Sequence, residues 1–475
     1  MNKELTFEEC LKKNEEIGYI EEVYRSVVYA RGLPSVHLEE EVILENGIKG
    51  EVIGLTSKYV EILLFGDSSM PAGTKIARTG RSFGVNIGND LLGKEFHGVI
   101  IDAGKQSEYV PLEKLSKGIM GRAVVDSAFE TGVSLVDLVV PMAVGQRELI
   151  LGDRKTGKTS FALQAAKSHI LRGKKAIICS IGKRSDDVQG IRDFLTTNNL
   201  VKNVIHIVTY GSDAAGIIFR APYVAMTIAE YYAGLGEDVL LILDDMTTHA
   251  KYYREITLEA KRFPGRNSYP GDIFFIQSRL LERGGKFTKG SITVLPIAET
   301  TAGDLSGYIQ TNLMAITDGH LYFDSDLFNG SKIPAINPYL SVTRIGSQAQ
   351  IPLVRDASRI LLRFLIEFQR ISQLSHFGAE FDIKTSEKIS TGNQLFELFN
   401  QPRNLIVPIN ASLYILALIW SGKWKGSAIS KFKLDKETII TSYLSNTKRN
   451  IVDSQIQNSK NFNELVINVT SNSII

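Results

Sequence analysis

The hydrophobic positions of this chain change their period twice along its length. Between about residues 17 and 78, short segments alternate apolar and polar residues between Gly, Asn and Asp turns, which predicts a small antiparallel β-barrel. From about 79 to 354, continuous apolar runs stand between helix-period segments, which predicts a parallel sheet covered by helices on both faces. From about 355 onward the helical period predicts a helical bundle. We therefore expect an α/β fold, and the expected domains are 1–80, 81–354 and 355–475.

The apolar runs of the central region are predicted to be its strands, and the helix-period segments its helices. The predicted strands are Arg147–Leu151, KKAIICSIG, NVIHIVTYG, EDVLLILDD, DIFFIQS and SITVLPIAE. The predicted helices are Ser160–Leu171 and APYVAMTIAEYYAGL here, and ASRILLRFLIEFQRISQLSHF and NQLFELFN in the C-terminal region. The stretch from about Ser445, which is rich in Asn, Ser and Lys, is interpreted as a polar tail.

Neither an export signal nor a membrane span is predicted. The first residues, MNKELTFEECLKKNEE, lack the apolar core of a signal peptide. The longest apolar stretch, Ile409–Trp420, is shorter than the roughly 20 residues that span a bilayer. We expect it to form a buried helix. Cys10 and Cys179 are far apart in sequence, and Cys179 lies in an apolar run, so we expect buried free thiols and a reducing, cytoplasmic setting.

Composition and charge place the chain among ordinary globular proteins. Of 475 residues, 44% are hydrophobic and 22% are charged, which provides enough apolar material for large cores. The 54 basic and 52 acidic residues give a formal net charge of +2. This balance gives no electrostatic reason to expect a nucleic-acid partner.

A phosphate-loop motif carries the first chemical prediction. Residues 152–159 read Gly-Asp-Arg-Lys-Thr-Gly-Lys-Thr, between a predicted strand and a predicted helix, which is the context this motif requires. The glycines allow the backbone to wind around phosphates, Lys158 is expected to reach the outer phosphates, and the hydroxyl of Thr159 to bind Mg²⁺. The predicted nucleotide-binding residues are Gly152, Asp153, Arg154, Lys155, Thr156, Gly157, Lys158, Thr159 and Ser160. Whether the nucleotide is cleaved does not follow from the loop.

An acidic strand end is the second part of the predicted site. The apolar run Val239–Leu243 leads directly into Asp244 and Asp245. Taken alone, such an acid is more often a strand end than a ligand. Together with the phosphate loop, Asp244 is expected to contact the nucleotide site by orienting the Mg²⁺ shell beside Thr159 through a water molecule.

Several segments together resemble the α subunits of F-type ATP synthases over nearly the whole chain. They are GQRELILGDRKTGKTS, SDAAGIIFRAPYVAMTIAEYY, LILDDMTTHAKYYRE, KRFPGRNSYPGDIFFIQSRLLERGGK, GSITVLPIAETTAGDLSGYIQTNLMAITDG and PAINPYLSVTRIGSQAQ. The resemblance implies an N-terminal β-barrel, a central RecA-like nucleotide-binding domain and a C-terminal helical domain. It also implies ATP or ADP with Mg²⁺ as the ligand.

The same resemblance implies partners. These are β-type catalytic subunits alternating with α in a hexameric ring, and a central γ-type rotor shaft. It also implies a position on the cytoplasmic side of the membrane, with contact to the membrane through partner subunits. A peripheral stalk is a further partner in the family, and the short segment ahead of the barrel argues against its standard attachment.

Two residues gain roles from the resemblance. Gly182-Lys183-Arg184 stands where catalytic β subunits have Gly-Glu-Arg, whose Glu polarises the attacking water. A protonated Lys has no lone pair to act as a general base, so Lys183 is expected to be a nucleotide contact that favours retained polyphosphate by its charge, in a site that does not readily cleave its nucleotide. Without the resemblance, Lys183 reads as a solvated lysine. Arg344 in SVTRIGS is implied to reach a neighbouring β site as an arginine finger, whereas without the resemblance it reads as an ordinary surface Arg.

Other positions depart from the family α pattern. Lys183 and Lys155 stand where α subunits usually have Gln, Ile333 where they have an Arg near the base, and Ala315 where they have a Ser. Gln401 and Arg403 fall where the family has two Gln residues near the adenine, and both are predicted nucleotide contacts. These changes make triphosphate binding a firmer expectation than adenine selectivity.

Three alternatives stay open at this point. The chain fits an α-like subunit of a diverged F-type-like motor that does not make ATP. A hexameric nucleic-acid motor also combines a small barrel with a phosphate loop, but Lys183 and the balanced charge disfavour it. An export-type ATPase of similar fold needs the catalytic Glu that is absent here. The isolated chain is therefore not expected to be catalytic.

Overall fold

The computed structural model describes residues 5–66, 69–104, 107–375 and 382–471. Within this part the chain forms two compact units. Unit 1 comprises Met1–Ala123, Gly173–Thr300 and Asp304–Thr317, and unit 2 comprises Val124–Arg172, Thr301–Gly303 and Asp318–Ile475, in each case over the described residues.

The elements alternate in the order that the hydrophobic pattern predicts for most of the chain. The strands are β1 (Ile17–Val23), β2 (Val27–Arg31), β3 (Glu40–Leu44), β4 (Lys49–Leu55), β5 (Val60–Leu64), β6 (Lys75–Ser82), β7 (Gly84–Ile87), β8 (Glu95–His97), β9 (Glu108–Pro111), β10 (Ala128–Phe129), β11 (Met142–Ala143), β12 (Glu148–Gly152), β13 (Lys175–Lys183), β14 (Val204–Tyr210), β15 (Asp238–Asp244), β16 (Gly285–Lys286), β17 (Ser291–Glu299), β18 (Gly319–Phe323) and β19 (Val342–Thr343). The helices are α1 (Phe7–Asn14), α2 (Ser134–Val139), α3 (Lys158–Leu171), α4 (Ser185–Thr197), α5 (Ala215–Gly234), α6 (Met246–Glu259), α7 (Ile273–Leu281), α8 (Tyr308–Ile316), α9 (Ser325–Asn329), α10 (Gly346–Ala349), α11 (Pro352–Ser375), α12 (Ile383–Phe399), α13 (Ile409–Trp420), α14 (Ile429–Leu444), α15 (Arg449–Gln457) and α16 (Phe462–Ser471).

The predicted N-terminal barrel is confirmed. Six antiparallel strands close in the order β1-β2-β5-β4-β3-β6. Alternate residues of these strands point inward and form one apolar core, which includes Val28, Val42, Ile62 and Ile76. Closing the sheet leaves no unpaired edge for other strands to add to.

The predicted parallel sheet is also confirmed in unit 1, where neighbouring strands follow the order β17-β15-β13-β14-β8. Strands β13, β14, β15 and β17 are buried along nearly their whole length, as expected when helices cover both faces. The buried helix α5, which contains the predicted APYVAMTIAEYYAGL segment, packs against β13, β14 and β15.

One predicted strand of this region is wrong. The segment DIFFIQS lies in helix α7, because its buried residues recur at the helical spacing of Ile273, Gln277, Leu280 and Leu281. Phe274 and Phe275, which made the run look continuously apolar, are exposed. A short apolar run does not distinguish a strand from a helix when its hydrophobic residues are only partly buried.

Unit 2 contains the strand and helix on either side of the phosphate loop. β12 pairs in parallel with β18, and β18 pairs antiparallel with β19. The predicted strand Arg147–Leu151 and helix Ser160–Leu171 correspond to β12 and α3, each shifted by one or two residues. The predicted buried helix Ile409–Trp420 is confirmed with the same bounds as α13.

The C-terminal region is helical as predicted, with a correction at its end. The two predicted helices lie in α11 and α12, although the last residues of the first prediction, 376 and 377, lie outside the described residues. The predicted polar tail instead contains α15 and α16. Their few apolar residues are spaced to meet one side of the bundle, where the buried ones are Val452, Ile456, Phe462, Leu465 and Val469.

Both cysteines are free and buried, which confirms the expectation for Cys10 and Cys179. Burial raises the pKa of each thiol. Within the described residues, no helix combines the length and the apolar composition that crossing a membrane requires.

Candidate functional site

The phosphate-loop segment forms a tight turn between β12 and α3. Gly152 and Gly157 both have positive φ angles, of 157° and 100°, which L side chains rarely adopt. A Cβ atom on Gly152 would lie 2.4 Å from the carbonyl oxygen of Phe323, so a side chain is excluded there for space as well. Gly157 occupies the N-cap of α3 and leaves the first N–H groups of the helix facing the loop.

Lys158 is buried with its ammonium inside the curve of the loop. Its Nζ donates to the carbonyl oxygens of Gly152, at 2.8 Å, and Asp153, at 2.5 Å. The hydroxyl of Thr156 donates to the same Asp153 carbonyl at 2.8 Å. The loop therefore carries a positive charge beside a helix N-terminus, which is an arrangement suited to binding an anion.

The other predicted loop residues have different surroundings. The carboxylate of Asp153 accepts hydrogen bonds from the N–H of Gly303, at 3.1 Å, and from the hydroxyl of Ser325, at 3.0 Å. It thus ties the loop to other parts of unit 2. Arg154 and Lys155 are exposed, whereas Thr159 and Ser160 are half-buried at the start of α3.

A pocket opens beside the loop within unit 2. It is lined by Thr156, Gly157, Ser160, Phe161, Gln164, Phe323, Phe328, Ile333, Pro334, Ala335 and Arg403. Its walls are mostly apolar or aromatic, with Arg403 at 5.9 Å from the ring centre of Phe328, but its volume of about 20 Å³ is too small for a heterocycle unless the walls move apart. Ile333 and Arg403, which the sequence singled out near the base, meet here. Gln164 and Phe328 were missed, although the spacing of Gln164 four residues after Ser160 on one helix face was a usable signal.

Gln401 does not line this pocket. The residue is buried, and its side-chain oxygen accepts from the N–H and the hydroxyl of Ser134 at 3.1 and 3.3 Å. Its Nε2 donates to the carbonyl oxygens of Gly132, at 2.7 Å, and Leu405, at 2.5 Å. Its backbone N–H donates to the carbonyl of Ile333 at 2.6 Å, so Gln401 supports the pocket wall from behind.

Replacing Gln401 by alanine is expected to lower the free energy of unfolding by about 1–3 kcal/mol, because it leaves buried polar groups of Gly132 and Ser134 without partners. Urea denaturation of the full chain measures this change. The matched control is Gln189→Ala, where the exposed amide donates to Asp193 and accepts from Arg192 at the surface, and a change within about 0.5 kcal/mol is expected. A loss of nucleotide affinity at unchanged stability would instead assign Gln401 a direct contact with the base.

Lys183 and Asp244 form a buried ion pair in unit 1. They lie at the carboxyl ends of the neighbouring strands β13 and β15, with the lysine Nζ 2.5 Å from Oδ1 of Asp244 and 3.7 Å from Oδ2 of Asp245. Burial alone lowers the pKa of Lys183, but the attraction of both carboxylates, with a further contribution from Glu299, outweighs burial and raises the pKa above its usual value. The lysine is therefore charged at neutral pH and cannot accept a proton.

The second acid of the strand end has a structural role. Asp245 is the N-cap of α6, where its carboxylate accepts from the N–H of Thr248 at 2.7 Å and from its hydroxyl at 3.1 Å. Burial raises the pKa of Asp245, and the nearby charge of Lys183 opposes that rise. Helix capping alone explains the presence of an acid at position 245, without a bound ligand.

Arg344 follows the short strand β19 and is exposed. Its backbone N–H donates to the carbonyl of Asp318 at 3.0 Å. The carboxylate of Asp318 is in turn held by Arg147, whose Nε and Nη2 donate to it at 3.0 and 2.7 Å. The backbone that carries Arg344 is thus fixed, while its guanidinium is on the surface of unit 2.

These features define a class of protein. Strand β12 ends in a phosphate loop, the N-terminus of α3 faces that loop, and an apolar pocket lies beside it. The chain is therefore a phosphate-loop nucleotide-binding protein. Residues 132–343 match the family model described as ATP synthase alpha/beta family, nucleotide-binding domain. Residues 350–473 match the model described as ATP synthase alpha/beta chain, C terminal domain. The chain belongs to the ATP synthase alpha/beta family.

Curated relatives share most of their length with this chain. It is 36% identical to ATP synthase subunit alpha 1 of Chlorobium luteolum over 426 residues, which cover 88% of this chain and 83% of the relative. It is 36% identical to ATP synthase subunit alpha of Mycoplasma genitalium, over 85% of this chain and 80% of the relative. It is 34% identical to ATP synthase subunit alpha of Carsonella ruddii, over 96% and 99%. The sequence resemblance to α subunits is thereby confirmed.

Proposed function

We propose that this chain is the nucleotide-binding, non-catalytic α-type subunit of an F-type rotary ATPase ring. The observation that carries the proposal is the pairing of Lys183 with Asp244 at 2.5 Å. An ammonium paired with a buried carboxylate occupies the position at which catalytic β subunits have their Glu. Without a base to polarise water, a bound triphosphate is retained rather than cleaved.

The proposed ligand is ATP or ADP. Its phosphates bind the loop from Gly152 to Ser160, with Lys158 as the main cation, and its base lies beside Phe328, Ile333 and Arg403, whose pocket of about 20 Å³ must widen to admit it. Lys155 adds charge at the exposed edge of the loop. Gln401 contributes by supporting Ile333 rather than by touching the base.

The described residues fit a magnesium ion only in part. The hydroxyl of Thr159 is a suitable hard oxygen ligand and remains the proposed one. The carboxylate of Asp244 is expected from the sequence to orient the water shell of the ion. In the structure it accepts a hydrogen bond from the ammonium of Lys183. No step of the proposed function therefore depends on Mg²⁺ at Asp244.

The proposed partners follow from the relatives named ATP synthase subunit alpha. They are β-type subunits that alternate with this chain in a hexameric ring, and a γ-type shaft. Arg344 is the proposed arginine finger in the neighbouring β site, which its exposed position and fixed backbone support. Contact with the membrane, on its cytoplasmic side, is proposed through partner subunits. The three domains at 1–80, 81–354 and 355–475 remain the proposed division of the chain.

The purified full chain is expected to bind ATP and to hydrolyse almost none of it until a β-type partner is added. Binding is measured by calorimetry and turnover by phosphate release, first with the chain alone and then with the partner. The partner alone serves as the control. Substantial turnover by the chain alone would contradict the proposal, and RNA-stimulated turnover would favour the nucleic-acid motor.

A second candidate is an α-type subunit of a diverged F-type-like motor that does not synthesise ATP. The charge at Lys183 and the apolar Ile333 favour it, because both change the environment of a nucleotide relative to the usual α pattern. The test is whether the assembled complex makes ATP when a proton gradient is imposed on reconstituted vesicles. Synthesis would exclude this candidate and leave the first.

A further inference from the structure

One row of residues crosses the three strands beside Arg344. In β12, β18 and β19, Glu148 is opposite Gly319, and Gly319 is opposite Thr343. Arg344 is the next residue, and its backbone N–H donates to the carbonyl of Asp318. The register of the sheet in unit 2 therefore places Glu148 in the row that ends at the residue before Arg344.

The side chain of Glu148 lies over the glycine in the middle of this row. A Cβ atom on Gly319 would be 2.5 Å from Oε2 of Glu148 and 2.4 Å from the carbonyl oxygen of Val342. The carboxyl of Glu148 thus occupies space that a side chain at position 319 would need, and only glycine fits there. Glu148 is 0% exposed in this position.

Gln146 connects the carboxyl of Glu148 to the segment that carries Arg344. Its Nε2 donates to Oε2 of Glu148 at 2.5 Å and, at a longer 3.4 Å, to the hydroxyl oxygen of Thr343. That hydroxyl oxygen also accepts from the N–H of Gly346 at 3.0 Å, across the turn 343–346. Glu148 therefore fixes the amide of Gln146, and Gln146 contacts the turn on which Arg344 is carried.

Stability alone does not explain an acid at this position. Oε1 of Glu148 has no hydrogen-bond partner among the described residues. Burial raises the pKa of Glu148 well above its ordinary value. The hydrogen bond from Gln146 opposes this rise, the charge of Asp318 adds to it, and the charge of Arg344 opposes it. The neutral acid is therefore favoured, and it does not attract the guanidinium of Arg344 as a carboxylate would. A buried acid with an unpaired oxygen destabilises a fold, so an apolar residue would serve a purely structural purpose better.

We propose that Glu148 is a positioning residue for Arg344, and that through Gln146 and Thr343 it holds the turn 343–346 where Arg344 can act on the neighbouring subunit. This inference rests on the proposed function, because Glu148 acts through the arginine finger. It assigns a role to a buried polar group that neither nucleotide binding nor the finger itself uses.

Glu148→Met tests the proposal in the mixed ring. Methionine has a similar length and suits a buried site, but it offers Gln146 only a weak acceptor. The kcat of ATP turnover is expected to fall by at least about tenfold, toward the roughly 100-fold that a misplacement of about 1 Å costs, while KM changes by less than about twofold. Glu148→Gln, whose amide oxygen can still accept from Gln146, should keep kcat within about threefold of the natural ring.

The matched control is Glu130→Met. It makes the same substitution in unit 2, at a partly exposed carboxylate that pairs with Arg172, and turnover should stay within about twofold of the natural ring. Native mass spectrometry and thermal melting verify the composition and the folding of each ring. If the Glu148→Met ring does not assemble, Thr343→Val removes the acceptor at the other end of the same link and is expected to lower kcat in the same way.

A double variant shows whether Glu148 acts through Arg344. In the Arg344→Ala background, Glu148→Met should lower turnover by less than about twofold further, because the finger that it positions is already gone. An equal loss with and without Arg344 overturns the inference while the proposed function stands. So does normal turnover in a correctly composed Glu148→Met or Thr343→Val ring, or a Glu148→Gln ring as slow as the Met variant. Normal turnover with Arg344→Ala alone instead overturns the finger role in the proposed function.

Discussion

Replacing Arg344 by alanine is expected to lower the steady-state ATP turnover of the mixed ring by on the order of 10³ or more, with assembly intact. An arginine finger acts on charge that develops on the transferring phosphoryl group, so its loss raises the barrier of the chemical step in the neighbouring site. Assembly should survive because the Arg344 side chain is exposed and its removal leaves no cavity in unit 2. Phosphate release by the purified ring measures turnover, and native mass spectrometry measures its composition.

Arg344→Lys provides the chemical control for this prediction. Lysine keeps the positive charge but lacks the planar, bidentate donor group of arginine, so turnover should lie between that of the natural ring and that of the alanine variant. A second readout separates positioning from chemistry, because nucleotide affinity of the ring should change much less than turnover. Normal turnover in an alanine-variant ring of correct composition would reject the finger role of Arg344.

Strands buried on both faces were the part of the fold most accessible to sequence reasoning. β13, β14, β15 and β17 are apolar throughout, and no helix-period pattern competes with that reading. The segment of α7 is predicted as a strand because two exposed residues, Phe274 and Phe275, occupy positions between the buried residues of its helical pattern. Exposed aromatic residues carry no periodic signal, so the sequence offered no means of separating them from core residues.

The end of the chain is predicted as a polar tail for the opposite reason, because its helices contain too few apolar residues to stand out. α15 and α16 bury few residues each, and the polar residues between them dominate the composition. Helices that cover one side of a bundle need only a narrow apolar stripe. Composition therefore suggested a tail, although Val452 and Ile456, and then Phe462, Leu465 and Val469, lie at helical spacing.

The candidate site was only partly predictable from sequence. The loop glycines, Lys158 and the charge of Lys183 follow from local motifs, because backbone conformation and side-chain chemistry are local properties. Lys183 and Asp244 are 61 residues apart in sequence, and their contact depends on the register between their two strands, which no local pattern specifies. The buried contacts of Gln401 are not specified by a local pattern either, since the groups that satisfy its amide come from distant segments.

Two cations of this chain thus have separate proposed tasks. Lys183 is largely shielded from water and paired with Asp244, so its charge is already offset within unit 1. Arg344 is exposed on a fixed backbone, which is the placement that the proposed arginine finger requires. A subunit that retains its own nucleotide and supports cleavage in the neighbouring subunit needs these two cations to have separate roles. A base in its own site would turn a structural ligand into a substrate.

A third cation, Arg220, holds the barrel to the sheet within unit 1. It lies on α5 and is 5% exposed. Its Nε and Nη2 donate to the two oxygens of Glu51 on β4, at 2.7 and 2.5 Å, and its Nη1 donates to Glu113 at 2.6 Å. One guanidinium therefore satisfies the buried carboxylate of Glu51 and the half-buried one of Glu113, and bidentate geometry makes the Glu51 contact specific to arginine.

Replacing Arg220 by alanine is expected to lower the free energy of unfolding by about 3–5 kcal/mol, because it leaves Glu51 buried without its counter-charge. Urea denaturation measures this loss. The double variant Arg220→Ala, Glu51→Gln should recover part of it, since the stranded charge is then removed as well. The matched control is Arg192→Ala, which breaks a bidentate pair with the partly exposed Glu95 and should cost about 1 kcal/mol or less. Equal losses at Arg220 and Arg192 would show that burial adds nothing to the barrel contact.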